Sequence, residues 1–197
     1  MNTEAYTYQF VGGNLALDFV NTVAYRFHPE KMQDHLQSAE DACRWASQAG
    51  LLDRRVLKSG IRLNGRALRR LRAVREELFG IFHAAARGEA ISVTALRHVG
   101  RALNECRGMQ RLSRRGREIR WIWRPGVRGV DLLLYPILTA ATELLTSTSR
   151  RLIRQCGDVR CGWLFLDRSN ARKRRWCRMA DCGNRNKARV HYRRIAV

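Results

Sequence analysis

The sequence has few acidic residues and no long apolar segment. Asp and Glu number 17 against 38 Lys and Arg, which gives a formal net charge of +21. No apolar run approaches the roughly 20 residues that cross a bilayer, so we expect no membrane partner. The N-terminus also lacks the basic and then apolar pattern of a signal peptide, and we therefore expect the chain to stay in the cytoplasm.

The patterns of a catalytic site are missing as well. The sequence has no suggestive pair of carboxylates and no nucleophile beside a base, and Gly12-Gly13 lacks the rest of a phosphate-binding motif. We therefore do not expect an enzyme. What remains is a chain of 197 residues, 45% of them hydrophobic, which is enough for one medium domain and a small module. A globular protein this basic usually binds a polyanion, most often nucleic acid.

Four of the six cysteines form two pairs with the same gap, Cys156-x4-Cys161 and Cys177-x4-Cys182. Two close pairs of thiolates, joined by a link long enough to fold back, are typical of a tetrahedral zinc site. The reducing cytoplasm favours metal over disulfides, although disulfides, another metal and an iron–sulfur cluster stay as alternatives. Four cysteines would complete the coordination of zinc and leave no position for a reactive water.

Positive charge is concentrated around these cysteines. Residues 150–197 contain 15 basic and 3 acidic residues, a net +12, whereas residues 1–149 contain 23 and 14, a net +9. A zinc–tetrathiolate site would change the first value by only about −2. We expect this segment to bind nucleic acid, with double-stranded DNA as the first hypothesis and a role as an RNA- or ribosome-associated zinc protein as the alternative. The candidate contacts are Arg172, Lys173, Arg174, Arg175, Arg178, Arg185, Lys187, Arg189 and Arg193.

Two of these expectations have a structural alternative. Arg185 could hydrogen-bond to the turn that carries the cysteines instead of reaching a base or a phosphate. The aromatic residues Trp163, Phe165 and Trp176 could form the small core around the metal, or they could stack on bases.

Capping signals predict a mainly helical segment before the cysteines. Asn14 caps a first helix, and Ser38 with Asp41 forms a capping box for a second one. Asn64 caps a long helix whose arginines are either a solvated face or a binding surface, and Ser92 caps the next. Cys43 and Cys106 fall on apolar helical stripes and are expected to be small buried hydrophobes.

Strands are predicted at three places. Alternation at Tyr6–Phe10 indicates a short strand, and alternation over 117–124 indicates another. Residues 130–135 either pair with this second strand or begin the following helix, and Pro136 suits the first turn of a helix. Near the cysteines, Trp163–Leu166 is expected to pair with Arg174–Cys177.

The final helix of the cysteine-rich segment should have Asp181 as its N-cap and Cys182 in its first turn. We therefore predict an α+β fold. A mainly helical domain, residues 1–149, contains a short strand and a β-hairpin. A small treble-clef-like zinc finger, residues 150–197, follows as a hairpin and a helix, and zinc should supply much of its stability.

Two stretches resemble a known bacterial family. Cys182-Gly183-Asn184-Arg185 reads CGNR, and it follows the stretches WLFLD at 163–167 and RRWCRM at 174–179. These resemble the CGNR zinc finger, and residues 12–23, GGNLALDFVNTV, resemble the opening of the ABATE domain. The resemblance implies a transcription regulator that binds DNA through the zinc finger. It also implies that the N-terminal domain senses a small-molecule effector or forms a homodimer.

Overall fold

The structure is a computed structural model that describes residues 6–52 and 63–195, with the backbone alone at positions 193 and 194. It is about 54% helical with small antiparallel strand pairs, so the α+β class is confirmed. The helices are α1 Leu15–Val20, α2 Ala39–Gln48, α3 Gly65–Arg87, α4 Val93–Gly108, α5 Gly129–Thr146 and α6 Asn184–Ile195. The strand pairs are β1 Val23–Ala24 with β2 Gln33–Asp34, β3 Gln110–Arg115 with β4 Glu118–Trp123, and β5 Ile153–Gln155 with β6 Leu164–Leu166.

The helices begin at the predicted capping residues. The side chain of Asn14 accepts from the backbone of Ala16, and Ser38 forms the full capping box with Asp41. Asn64 and Ser92 cap α3 and α4 in the same way. These bonds satisfy amide groups that have no partner within the helix, and the four predictions are confirmed.

Helix α5 lies in the middle of the core, where it packs against α1, α3 and α4. By length and composition alone it could cross a membrane, but nine of its residues are buried inside the protein. It begins at Gly129, so the alternative that residues 130–135 begin this helix is confirmed, and the placement of Pro136 in the first turn was wrong. Val130, Leu133 and Leu134 supply buried helix surface ahead of the proline, and their burial outweighs the missing amide donor of Pro136.

The predicted hairpin forms, but its strand at 117–124 pairs with the segment before it and not with residues 130–135. β4 pairs with β3, in a register that runs from Gln110 opposite Trp123 to Arg115 opposite Glu118. Gly116, whose φ is +63°, allows the tight turn between the two strands. Residues 6–10, by contrast, carry no strand, because the backbone amide of Tyr8 bonds to the side chain of Gln48 instead.

The hydrophobic core continues from the helices into residues 150–197. Ile153, Leu164 and Leu166 are buried in the same cluster as α1 and α3. The side chain of Asn21 accepts from the amide of Leu164 at 2.9 Å and donates to its carbonyl at 2.8 Å. The indole of Trp163 donates to the carbonyl of Val23 at 3.0 Å. The β5–β6 hairpin is therefore part of the main core.

Two local predictions for the cysteine-rich segment were wrong. β6 pairs with β5, and residues 174–177 form no strand. Asp181 is not the N-cap, because a helical turn already starts at Met179, runs through Gly183, and leads into α6. Helix α6 presents its apolar stripe to solvent, with Tyr192 and Ile195 exposed.

Two arginines of α3, Arg70 and Arg75, form ion pairs inside the protein and are not available as a binding surface. Arg75 is buried and makes a bidentate bond to Asp34 at 2.7 and 2.8 Å. Arg70 bonds to the buried Asp131 and to Glu105, both at 2.8 Å. These pairs connect α3 with the β1–β2 segment and with α5 and α4. Their partners lie far away in sequence, so the helix alone could not indicate them.

Candidate metal centre and nucleic-acid surface

The structure brings the four clustered cysteines together. The Sγ atoms of Cys156, Cys161, Cys177 and Cys182 all lie within 4.8 Å of one another, and all four residues are buried. The Sγ of Cys177 is 3.7 Å from that of Cys161 and 3.5 Å from that of Cys182. Zinc–sulfur bonds of about 2.3 Å place the corners of a tetrahedron about 3.8 Å apart. The four sulfurs therefore fit a zinc site, and zinc is the cofactor.

The first cysteine pair is held by a tight turn between β5 and β6. The amide of Cys156 donates to the carbonyl of Trp163 at 2.8 Å, and the amide of Cys161 donates to that of Asp158 at 2.8 Å. Gly162, whose φ is +75°, follows the turn and approaches Arg26 so closely that a Cβ would lie 2.9 Å from the arginine Cβ. The turn thus presents two sulfurs on one side and contacts the loop between β1 and β2 on the other.

The second cysteine pair lies on the helical turn Met179–Gly183 and just before it. The amide of Cys177 donates to the Sγ of Cys156 at 3.4 Å, which joins the two pairs directly. Gly183, the second residue of the CGNR motif, lies against the side chain of Met179, and a Cβ there would displace the methionine sulfur. The motif therefore places a small residue, on which Met179 packs, directly after the metal ligand Cys182.

Asp158 is the main polar residue behind the cysteines, and the sequence analysis missed it. Its carboxylate is fully buried and accepts from Arg185 Nε at 3.1 Å and from Arg189 Nη2 at 3.1 Å. Arg185 also donates to the Sγ of Cys182 at 2.9 Å and to the hydroxyl of Tyr25 at 3.3 Å. One guanidinium thus contacts a metal ligand, a buried carboxylate and the N-terminal domain. The rarity of acidic residues in this segment was the only available sequence signal for Asp158.

The four sulfurs share protons unequally, because hydrogen bonds with Cys156 raise the pKa of Cys161 and Cys177 while Cys156 itself carries the thiolate. Hydrogen bonds from the Cys161, Cys177 and Cys182 thiols lower the pKa of Cys156 below its ordinary value. Thiolates are the form that binds zinc, and a donor aimed at a bound sulfur is a typical support of a metal ligand. The isolated Cys106 has the opposite environment, because burial raises its pKa to about 11.

The aromatic residues of this segment surround the cysteines. Phe165 is fully buried beside them, and Trp163 and Trp176 pack against the cluster while partly exposed. The guanidinium of Arg174 lies 4.3 Å from the centre of the Phe165 ring. Arg174 also donates to the carbonyl of Trp176 at 3.0 Å and to that of Cys177. The first interpretation of the aromatic residues, as a small core around the metal, agrees with this burial.

The predicted nucleic-acid contacts fall into two groups. Arg174, Arg185 and Arg189 have the intramolecular partners described above. Five others have exposed side chains, namely Arg172, Lys173, Arg175, Arg178 and Lys187. The side chain of Arg193 lies outside the part of the chain that the structure describes.

Three of the exposed cations line an open groove of about 770 Å³ next to the cysteines. Lys173, Arg175 and Arg178 lie along it, and Phe10 and Trp176 contribute its apolar surface. The guanidinium of Arg175 lies 5.2 Å from the centre of the Trp176 ring. A groove with cations and partly exposed aromatic rings can bind a phosphate backbone.

Comparisons with protein-family models find two matches. Residues 13–148 match the ABATE model, described as "Putative stress-induced transcription regulator", and residues 152–195 match the model described as CGNR zinc finger. Neither is a family of enzymes. No curated protein matches the chain in sequence.

Proposed function

We propose that this chain, which belongs to the ABATE family and ends in a CGNR zinc finger, is a regulator that binds double-stranded DNA through its zinc finger. The family supports a zinc-binding regulator and suggests nucleic acid as the partner. The same description favours a soluble, cytoplasmic protein. The division into domains 1–149 and 150–197 follows the same proposal, with the shared core as the contact between them.

The observation that carries this proposal is the exposed basic loop beside the cysteines. Arg172, Lys173 and Arg175 are exposed, and in the described part of the chain none of them has an acidic partner. Arg178 is only weakly paired with an acid, Asp181, at 3.5 Å, and it donates to the side-chain oxygen of Gln9 at 2.5 Å. Cations without intramolecular partners can replace the counterions that phosphates hold, and this exchange drives binding to DNA.

Zinc has a structural role in this proposal. Four sulfurs complete the coordination, so the site offers no open position for a substrate or a water. The metal would join the tight turn Cys156–Cys161 to the helical turn Met179–Gly183 that leads into α6. It thereby fixes the basic loop relative to the cationic residues of α6. Arg185 and Arg189 support this geometry through Asp158, and direct contact of these two with DNA stays a prediction.

The N-terminal domain is the proposed sensor or dimerisation module. A cavity of about 210 Å³ lies where the β1–β2 segment meets the cysteines. Tyr6, His35, Trp163 and Arg185 are among its lining residues, and the rings of Tyr6 and His35 stack 3.7 Å apart. The cavity has room for a compact effector whose binding would contact both the domain and the zinc finger. A homodimer would be detected by light scattering with and without DNA.

Binding by the zinc finger is tested with the triple variant Arg172→Ala, Lys173→Ala, Arg175→Ala. Each lost phosphate contact should make the slope of log K against log salt on duplex DNA less steep by about 0.9, so three should change it by about 3. The matched control removes three exposed arginines from the helices, Arg69, Arg97 and Arg101, and should leave the slope nearly unchanged.

Competition among duplex DNA, duplex RNA and single strands identifies the nucleic acid. We expect duplex DNA to compete best. Preference for RNA would support the alternative of an RNA- or ribosome-associated protein. Unchanged affinity of the finger variant across a salt series would remove the basic loop from the binding surface. A parallel Arg185→Lys variant separates its two roles, because bracing predicts loss of zinc affinity before any change in binding to DNA.

A further inference from the structure

The β3–β4 hairpin is a basic arm that projects from the helical domain. We call residues 110–124 the basic ribbon; it contains six arginines and one glutamate, a net charge of +5. Its base is closed by the amide of Arg124, which donates to the carbonyl of Met109 at 2.8 Å. Trp123 packs edge-on against Tyr135, with 5.5 Å between ring centres. From residue 114 to residue 121 every side chain is exposed.

The two faces of the ribbon differ in composition. Residues directly opposite each other in an antiparallel pair share a face. Leu112 lies opposite Trp121, and Arg114 lies opposite Ile119, so these four side chains form one face. Leu112, Ile119 and Trp121 are 59%, 71% and 63% exposed, which is unusual for large apolar residues. The other face carries Arg111, Ser113, Arg115 and Arg120, together with Ile122 and Glu118.

The arginines of the ribbon have no acidic partner among the described residues. This distinguishes them from Arg70 and Arg75 of α3, which form ion pairs with Asp34, Glu105 and Asp131. An exposed apolar face could in principle be covered by a second copy of the chain. Pairing two ribbons would bring twelve guanidinium groups together with only two glutamates, a combined charge of +10, and this repulsion argues against self-association. A polyanionic partner, in contrast to a second copy, would cover the apolar face and neutralise the arginines at the same time.

The dimensions of the ribbon match one nucleic-acid groove. Two strands about 4.8 Å apart, each of six residues and thus about 20 Å long, make a narrow and flat rod. The major groove of duplex DNA is about 12 Å wide and admits a two-stranded β-ribbon, whereas the minor groove is only about 6 Å wide. Arginines reach guanine edges and phosphates there, and apolar side chains contact the methyl groups of thymine.

We propose that the basic ribbon is a second DNA-binding element, which inserts into the major groove of a duplex. The arginines neutralise phosphates on both sides of the groove, and the face of Leu112, Ile119 and Trp121 contacts the thymine methyl groups. This inference rests on the proposed binding of DNA, but it does not depend on the zinc finger as the contact. With both elements engaged, the chain holds the duplex at two places.

The first test removes three ribbon arginines, Arg111→Ala, Arg114→Ala and Arg120→Ala, and measures binding to a duplex of random sequence across a salt series. The slope of log K against log salt should become less steep by about 3, and affinity near 0.1 M salt should fall on the order of 100-fold. The control is again the variant of Arg69, Arg97 and Arg101. Thermal melting confirms that the substitutions, all at exposed positions, leave the fold intact.

The outcomes separate this inference from the function of the zinc finger. If the ribbon variant loses affinity for duplex DNA and the zinc-finger variant does not, the ribbon is supported as a binding element and the zinc finger is refuted as one. The proposal for the ribbon is overturned if only the zinc-finger variant loses affinity for duplex DNA. It is also overturned if the control variant loses as much affinity as the ribbon variant. Binding of the ribbon to anionic phospholipid vesicles but not to duplex DNA would also overturn it.

The second test locates the groove. In a duplex with 5-bromouracil in place of thymine, the bromine stands where the methyl group was, in the major groove. Ultraviolet irradiation should crosslink the duplex to a peptide that contains Trp121, as identified by mass spectrometry. The variant Trp121→Leu should lose that crosslink and keep most of its affinity. Crosslinks confined to the zinc finger would refute the proposed placement in the major groove.

Discussion

Replacing Asn21 by Ala should destabilise the helical domain and the zinc finger together. Asn21 is 4% exposed and holds both the amide and the carbonyl of the fully buried Leu164, at 2.9 and 2.8 Å. The variant leaves two buried backbone groups without these partners, and each costs about 1–3 kcal/mol. We expect a total loss of about 3–4 kcal/mol, which is a large share of the 5–15 kcal/mol typical of folded domains.

Urea denaturation measures this loss. With a slope of about 2 kcal/mol per molar urea, a loss of 3 kcal/mol lowers the midpoint by about 1.5 M. Far-UV circular dichroism follows the helices, and a zinc-sensitive dye follows release of the metal. The two transitions should move together, because Leu164 is buried in the same cluster as α1 and α3.

The control is Asn104→Ala, at an exposed position of α4, which should change stability by less than about 0.5 kcal/mol. Zinc release at lower urea with an unchanged helical transition would refute the shared core and make the zinc finger an independent unit. A loss no larger than that of the control would show that the two hydrogen bonds contribute nothing.

Two further predictions concern the metal and the pH dependence of stability. The purified protein should hold one zinc per chain, and Cys177→Ser with Cys182→Ser should abolish it while Cys43→Ser does not; full zinc in the double variant would exclude these ligands. Burial raises the pKa of Asp18 to about 6, so ionisation of this carboxyl costs the folded state up to about 3 kcal/mol above pH 6, and the cost disappears as the pH falls. Asp18→Asn should therefore gain stability over the wild type as the pH rises from 4 to 7.5 in denaturation measured at each pH, and a gain that shrinks over this range would contradict the assignment.

Local signals in the sequence predicted helix starts and the metal cluster well. Ser38 and Asn64 cap helices by bonding to amides two or three residues away, so the pattern and the interaction lie in one short window. The spacing within each cysteine pair also predicts that its two sulfurs lie close together, because one turn of the backbone holds both. Neither inference required knowledge of the rest of the fold.

Long-range choices could not be predicted in the same way. The strand Leu164–Leu166 was expected to pair with Arg174–Cys177, but it pairs with Ile153–Gln155 because this hairpin completes the core above α1. The contact between Asn21 and Leu164 spans 143 positions and leaves no local pattern. Pro136 was placed at a helix start by the usual preference of proline, which the burial of the preceding apolar run overrides.

The continuity of the core across residue 150 has a consequence for biosynthesis. The ribosome delivers α1 first, yet the strand that covers it, Leu164–Leu166, is among the last segments to emerge. Until then the side chain of Asn21, which is 4% exposed in the finished protein, lacks both of its partners on Leu164. A product that stops before this strand remains a substrate for chaperones and proteases. Incomplete synthesis therefore yields no stably folded product, because only a chain that extends past Leu166 completes the shared core.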